Sequence, residues 1–311
     1  MNPAALSPAS APVRREALAA AQALRLPFAS RAWHGPQGGW LGTGLGSSID
    51  FQDHRAYQMG DDPRHIHWAA YARTGQLTMK LFRAEVAPFV ELAVDVSPSM
   101  TFDPAKAART DALLAFCVES ADRTAAPLRI HAAHGRVVRP VAADEVRAGR
   151  WRERLGDLAA TATEKSPDAK KRGASEQPPE PPGPLPWRGG ALRVLISDLL
   201  FPGDPSAVLV PLAAGGGTAV VLAPALAAEA DAPPDGNIDL IDCERPGQRR
   251  KQRVDDAVAA RYRAAYARHF ALWREAAKRR GVALAVVPSA RDLAAALMAE
   301  ALPAGAVELN T

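Results

Sequence analysis

The chain has 311 residues, 48% of them apolar and 23% charged, so it can bury a full core and does not have the composition of a disordered protein. A net charge of +4, spread mostly over arginines along the chain, argues only weakly for nucleic acid. Two cysteines, Cys117 and Cys243, exclude a disulfide scaffold and read as buried thiols in a reducing compartment.

Residues 1–13 carry Pro, Ala and Ser without pattern and are expected to be disordered, with no apolar run of signal-peptide type. Leu18, Ala21 and Leu24 have helical spacing within Arg14–Leu26, stopped by Pro27. Gly35–Gly46 is glycine-rich and reads as a loop. Asp62-Pro63 is a cap followed by proline at the first helical position, and Gly75 is placed to end the helix, which predicts one helix over Pro63 to about Thr74. Leu77–Phe82 alternates as a strand.

From Pro88 the order becomes strand, helix, strand. An apolar strand runs from Phe89 to Asp95, and Asp103-Pro104 caps a helix reaching about Arg123. Leu128–Ala133 and Val137–Val141 form a hairpin, and Asp144 to about Ala160 is helical. Residues 165–190 are rich in Pro, Lys and Glu and read as a flexible insertion. Strands follow at Leu192–Ser197, Thr218–Leu222, Ile238–Asp242 and Val282–Val287, with helices at Ser206–Ala213, Asp255–Arg280 and Ala290–Ala301. Alternation of this kind predicts an α/β fold, a mostly parallel sheet with helices on both faces. The apolar stretches Ala207–Ala228 and Val282–Leu302 are cut by Pro, Gly or charged residues, so they read as core elements of a soluble protein. The resulting division is a disordered 1–13, an accessory region 14–87, and a main domain 88–303 carrying the insertion.

The chemistry concentrates where two apolar strands end. Asp95, Ser97 and Ser99 follow the first, and past a strand end the turning chain lets three oxygens converge. Carboxylate and hydroxyl oxygens suit a hard cation such as Mg2+, and three of them at alternate positions exceed what one helix cap needs. Ser197-Asp198 repeats the design after Leu192–Ile196; that acid either shares the crevice or makes a common turn.

Other constellations favour plainer readings. His65 and His67 stand two apart on the expected helix and, with His54, read as surface or locally hydrogen-bonded groups rather than zinc ligands. Arg55, Asp61, Arg64 and Arg73 read as capping and ion pairing between this segment and the main domain. The basic run Arg245–Arg253 lacks aromatic interleaving and precedes Asp255-Asp256, so a solvated hairpin or loop is preferred. Tyr262, Tyr266, His269-Phe270 and Trp273 have core-face spacing.

The block Phe51, Arg55-Ala56-Tyr57, Gly60-Asp61-Asp62-Pro63-Arg64, Ile66, Trp68 and Ala72-Arg73-Thr74-Gly75, followed by Asp-x-Ser-x-Ser-Met at 95–100, resembles the bacterial proteins of domain-of-unknown-function family 58. The strand ending in Asp-x-Ser-x-Ser also resembles a von Willebrand factor A domain with its metal-ion-dependent adhesion site. The resemblance covers about Gly46 to Asp198 strongly and implies a Rossmann-type von Willebrand A-like sheet. It implies Mg2+ or Mn2+ held by Asp95, Ser97 and Ser99, with Asp198 contributing through water. It also implies a cytoplasmic accessory protein acting with a MoxR-type AAA+ ATPase on a client protein. His67 stands where the family has Asp, and Asp50 where Glu precedes Phe. The threonine that completes a von Willebrand A site has candidates in Thr161 and Thr163.

The function expected is therefore a non-enzymatic, metal-dependent protein-interaction module. The first alternative is a phosphatase or esterase using Asp95. Ser97 stands where such phosphatases have a second acid, and neither a nucleophile elbow nor a Walker loop is present. Nucleic-acid binding through the basic surface ranks last.

Overall fold

A computed structural model describes residues 10–30, 33, 37–155, 181–233, 235–244 and 248–310. The first helix, α1 (Ser10–Ala23), leads into a two-residue strand β1 (Leu24–Arg25). An outlying pair follows, β2 (Gln37–Ala56) and β3 (Thr78–Val86), with the short helix α2 (Trp68–Thr74) between them. The main sheet takes β4 (Val90–Asp95), β5 (Leu128–His134), β6 (Val137–Val141), β7 (Leu192–Ile196), β8 (Thr218–Ala225) and β11 (Val282–Pro288). Around it lie α3 (Pro104–Arg123), α4 (Ala143–Arg147), α5 (Trp151–Leu155), α6 (Ser206–Ala213), α7 (Ala227–Ala230), α8 (Asp256–Arg279) and α9 (Leu293–Ala296). A hairpin of β9 (Gly236–Ile241) and β10 (Arg249–Val254) and a final strand β12 (Glu308–Leu309) complete the chain.

The sheet order is β11-β8-β7-β4-β5-β6, parallel throughout except for β6, which confirms the expected Rossmann-like α/β class. Successive residues of β4 serve opposite faces. Val90, Leu92 and Val94 join the core under α1, α3 and α9, while Ala93 joins the one under α6 and α8. Burying a Val or Leu contributes about 1.5–3 kcal/mol, which explains why β4 and β7 are mostly apolar; the exceptions inside them, Glu91 and Arg193, are buried as well. The chain leaves β4 toward β5 on one side and returns to β7 on the other. That reversal opens a crevice at the carboxyl ends of β4 and β7.

The structure revises several expectations. The helix begins at Ser10, within the stretch read as disordered; residues 1–9 lie outside the described set. It ends at Ala23, because Leu24 and Arg25 pair with Leu309 and Glu308. Its buried Ala17, Ala20 and Ala21 belong to the main core, so α1 is part of the body that the boundary at 87 set apart from it. Gln37–Ala56 is a strand rather than a loop, and its pairing with β3 shifts register repeatedly where glycine and serine are dense.

No single helix spans 63–74. Pro63–His65 is one 3-10 turn capped by Asp62, Ile66 bridges to Met79, and His67 N donates to Thr78 O at 2.7 Å before α2 starts. Tertiary pairing outweighs local propensity here. The helix expected over Asp144–Ala160 is two short ones, separated at Gly149, whose φ is +67°; residues beyond 155 lie outside the described set. Residues 181–190 of the expected insertion pack onto the body, with Leu185 and Trp187 against the second core and Gly183 N donating to Gly135 O. Ile238–Ile241 joins no main strand but pairs with β10, so Arg249–Arg253 of the basic run lie on a hairpin, one of the two forms expected; residues 245–247 lie outside the described set. On α8 only Phe270, Trp273, Ala276 and Ala277 are buried; Tyr262 is exposed, because that half of the helix lies outside the second core. Cys117 is buried as expected, but Cys243 is exposed, since its strand left the sheet. Among the described residues no helix is long and apolar enough to cross a membrane.

Candidate metal centre

β4 delivers Asp95 at its last position, and β7 ends one residue before Ser197, with Val94 paired to Ile196. The parallel register therefore brings both acid-bearing ends to one rim. Asp95 is 3% exposed and Asp198 2%. Asp95 Oδ1 accepts Ser97 N at 2.9 Å, and Oδ2 accepts the Ser197 hydroxyl at 2.7 Å. Ser97 Oγ and Ser99 Oγ lie 3.0 Å apart, set by a 3-10 turn that Pro98 opens. All four residues singled out from the sequence are thus brought to one edge. Thr161 and Thr163 lie outside the described residues.

The sequence reading missed three polar groups, Lys106, Glu229 and Glu244, and gave Ser197 no role of its own. Ser197 is fully buried and donates to Asp95. Lys106, on the first turn of α3, is also fully buried, with Nζ 2.6 Å from Asp198 Oδ2 and 2.5 Å from Glu229 Oε1. Glu229 Oε2 in turn accepts Leu226 N. Glu244, in the loop closing the β9–β10 hairpin, accepts Ser99 N at 2.8 Å. Lys106 could have been flagged as a cation on the buried stripe with Thr110, Leu113 and Leu114. Nothing local marks Glu229 or Glu244.

The electrostatics show where charge is left uncompensated. Burial, and then the charge of Asp198, push the Asp95 carboxyl up to about 7, although its hydrogen bonds from Ser97 and Ser197 pull the other way. Burial would lower Lys106, but Asp198 and Glu229 outweigh it, so its ammonium is held above the ordinary range. One lysine thus serves two carboxylates, while Asp95 has no cation of its own among the described residues. The side chains gathered at Asp95, the hydroxyls of Ser97, Ser99 and Ser197, offer only oxygen, which fits a small hard cation that keeps its waters. Among the described residues no three Asp, Glu, His or Cys side chains converge as ligands, so such an ion would depend on the serine hydroxyls and on water.

The block at 51–75 forms a local network instead. Arg55 grips Asp61 with two bonds, the shorter 2.5 Å, and Arg64 pairs with Asp62 at 2.8 Å. These pairs stay inside the segment rather than reaching the main domain as expected, because the partners sit within six residues of each other in sequence. His54 Nε2 and His67 Nδ1 are 2.9 Å apart in stacked rings, in keeping with the local hydrogen-bonding reading.

The sequence pattern of the family described as "Protein of unknown function DUF58" matches residues 53–272. The chain belongs to that family. The match takes in the Arg55–Asp61 network, both rim acids, Lys106 and Glu244. No curated protein and no solved structure matches the chain.

Proposed function

We propose that this DUF58 protein is a non-enzymatic protein-interaction module that binds a partner's carboxylate through a divalent cation at the β4–β7 rim. The observation that carries the reading is the buried Asp95 carboxyl beside the Ser97, Ser99 and Ser197 hydroxyls, with no cation paired to it among the described residues. Asp95, Ser97 and Ser99 would hold Mg2+ or Mn2+, with Asp198 behind them. The bound ion would supply the positive charge that lets an acidic side chain approach two buried acids without like-charge repulsion. Lys106 ties Asp198 to Glu229 behind the proposed ligands. A MoxR-type AAA+ ATPase, acting with this chain on a client protein, is the partner that the family resemblance favours, and a cytoplasmic setting goes with it.

The hydrolase alternative is weaker. Ser97 stands where an aspartyl-phosphate phosphatase needs its second acid, so Asp95 has no neighbouring general acid–base group. The test is calorimetric titration of Mg2+ into the protein, followed by capture of partners from the native host with Mg2+ or EDTA. Saturable Mg2+ binding that Asp95→Ala abolishes is expected, with captured partners lost in EDTA. Equal capture in EDTA would overturn the metal-dependent reading.

A further inference from the structure

The loop joining β9 to β10 places a carboxylate of this chain against the rim: Glu244 Oε1 accepts Ser99 N at 2.8 Å, across 145 residues of sequence. Glu244 is positioned in turn by its own amide, which donates to Asp242 Oδ1 at 2.9 Å. A carboxylate therefore already sits on the backbone of the turn that presents two of the proposed ligands. The hairpin that carries it belongs to no larger sheet, since β10 pairs only with β9 among the described strands. Such a ribbon can move relative to the core at little cost in buried area.

The hairpin surface also has a definite chemistry. Arg249, Arg250, Lys251 and Arg253 are exposed and make no ion pair among the described residues. Leu240 and Ile241, at the end nearest Glu244, are 42% and 56% exposed. Four unpaired cations leading away from a carboxylate-binding position are complementary to a chain of several acids.

We propose that Glu244 is a resident occupant of the place a partner's carboxylate takes, and that the partner contributes an acidic extended segment whose further acids lie along β10. This rests on the carboxylate-binding reading above and names its ligand class. Entry of the segment exchanges one carboxylate for another at Ser99, so Glu244 sets a threshold that a single acid does not pass and a run of acids does.

The test uses the full chain and fluorescence anisotropy of a short labelled peptide rich in Glu, with a Gln-substituted counterpart, in Mg2+. Removing the internal competitor with Glu244→Ala should tighten the acidic peptide about tenfold, the value of one charge-assisted hydrogen bond. Reversing the ribbon with Arg249→Glu and Arg250→Glu together should weaken it about tenfold. Hydrogen exchange should show the Ser99 amide losing protection in Glu244→Ala without peptide. Unchanged affinity in both variants, equal binding of the Gln peptide, or tighter binding of a DNA duplex than of the acidic peptide would each overturn the proposal. The metal reading fails separately: binding that survives EDTA and Asp95→Ala while still tightening in Glu244→Ala keeps the displacement and removes the ion.

Discussion

Replacing Lys106 by methionine keeps the length of the side chain and removes its charge from a fully buried position. The ammonium lies 2.6 Å from one carboxylate and 2.5 Å from another, and at an effective dielectric constant near 20 each contact represents roughly 6 kcal/mol of gross attraction. Most of that offsets the cost of removing three charges from water. What the substitution exposes is a buried acid, Asp198, and a largely buried one, Glu229, that have lost their shared counter-ion, a change that costs about 3–5 kcal/mol. The expected result in metal-free buffer at pH 7.5 is a loss of that size in urea unfolding followed by tryptophan fluorescence, for which the buried Trp273, Trp151 and Trp33 are reporters. The deficit should shrink at pH 5. Carboxyls without a counter-ion bind protons more readily in the folded state than in the unfolded one, so the penalty grows as pH rises. A variant within about 1 kcal/mol of the parent, or a penalty equal at both pH values, would refute the claim that Lys106 holds the rim together.

Three further outcomes follow from the same structure. Because the folded Asp95 carboxyl titrates near 7 rather than at its ordinary value, the native state binds the extra proton between about pH 4 and 7 and loses stability as pH rises through that window; in EDTA, Asp95→Asn should therefore stabilise the protein at pH 8 and give no gain at pH 4, as read by thermal unfolding. Saturating Mg2+, about a hundred times its Kd, should raise the melting temperature of the parent at pH 8 by ~5 °C and leave Asp95→Ala unmoved. Gly217, at φ +97° with Ala191 O only 2.1 Å from where a Cβ would stand, should lose more than about 2 kcal/mol on replacement by alanine, measured in the same urea assay.

Sequence pattern reached the main sheet because its strands are rich in Val, Leu, Ile and Ala and its helices carry caps that can be read directly, Asp103-Pro104 being the clearest. It reached Asp95, Ser97, Ser99 and Asp198 because oxygen-bearing residues at the end of a buried strand stand out against their neighbours. It did not reach their partners. Lys106 looks like any solvated lysine until the helix is seen to bury that stripe. Glu229 and Glu244 arrive from 123 and 145 residues away, through pairings that carry no local signature. The β2–β3 ribbon was hidden because glycine and serine dominate its first half, where backbone pairing alone defines the strand. The stretch Ile238–Asp242 announced a strand but not its neighbour, and so misplaced Cys243.

The clasp between β1 and β12 has a bearing on biosynthesis. Leu24 meets Leu309, Arg25 bonds Glu308 at 2.7 Å, and Asn310 Nδ2 donates to Ala21 O. The apolar side of α1 is covered partly by α9, which is made more than 250 residues later. A nascent chain can lay α1 on α3 early but must carry the part of it that α9 covers open until the end of translation, and contacts so distant in sequence form late. Truncation before residue 293 should leave a ribosome-released product that chaperones retain rather than a smaller folded protein.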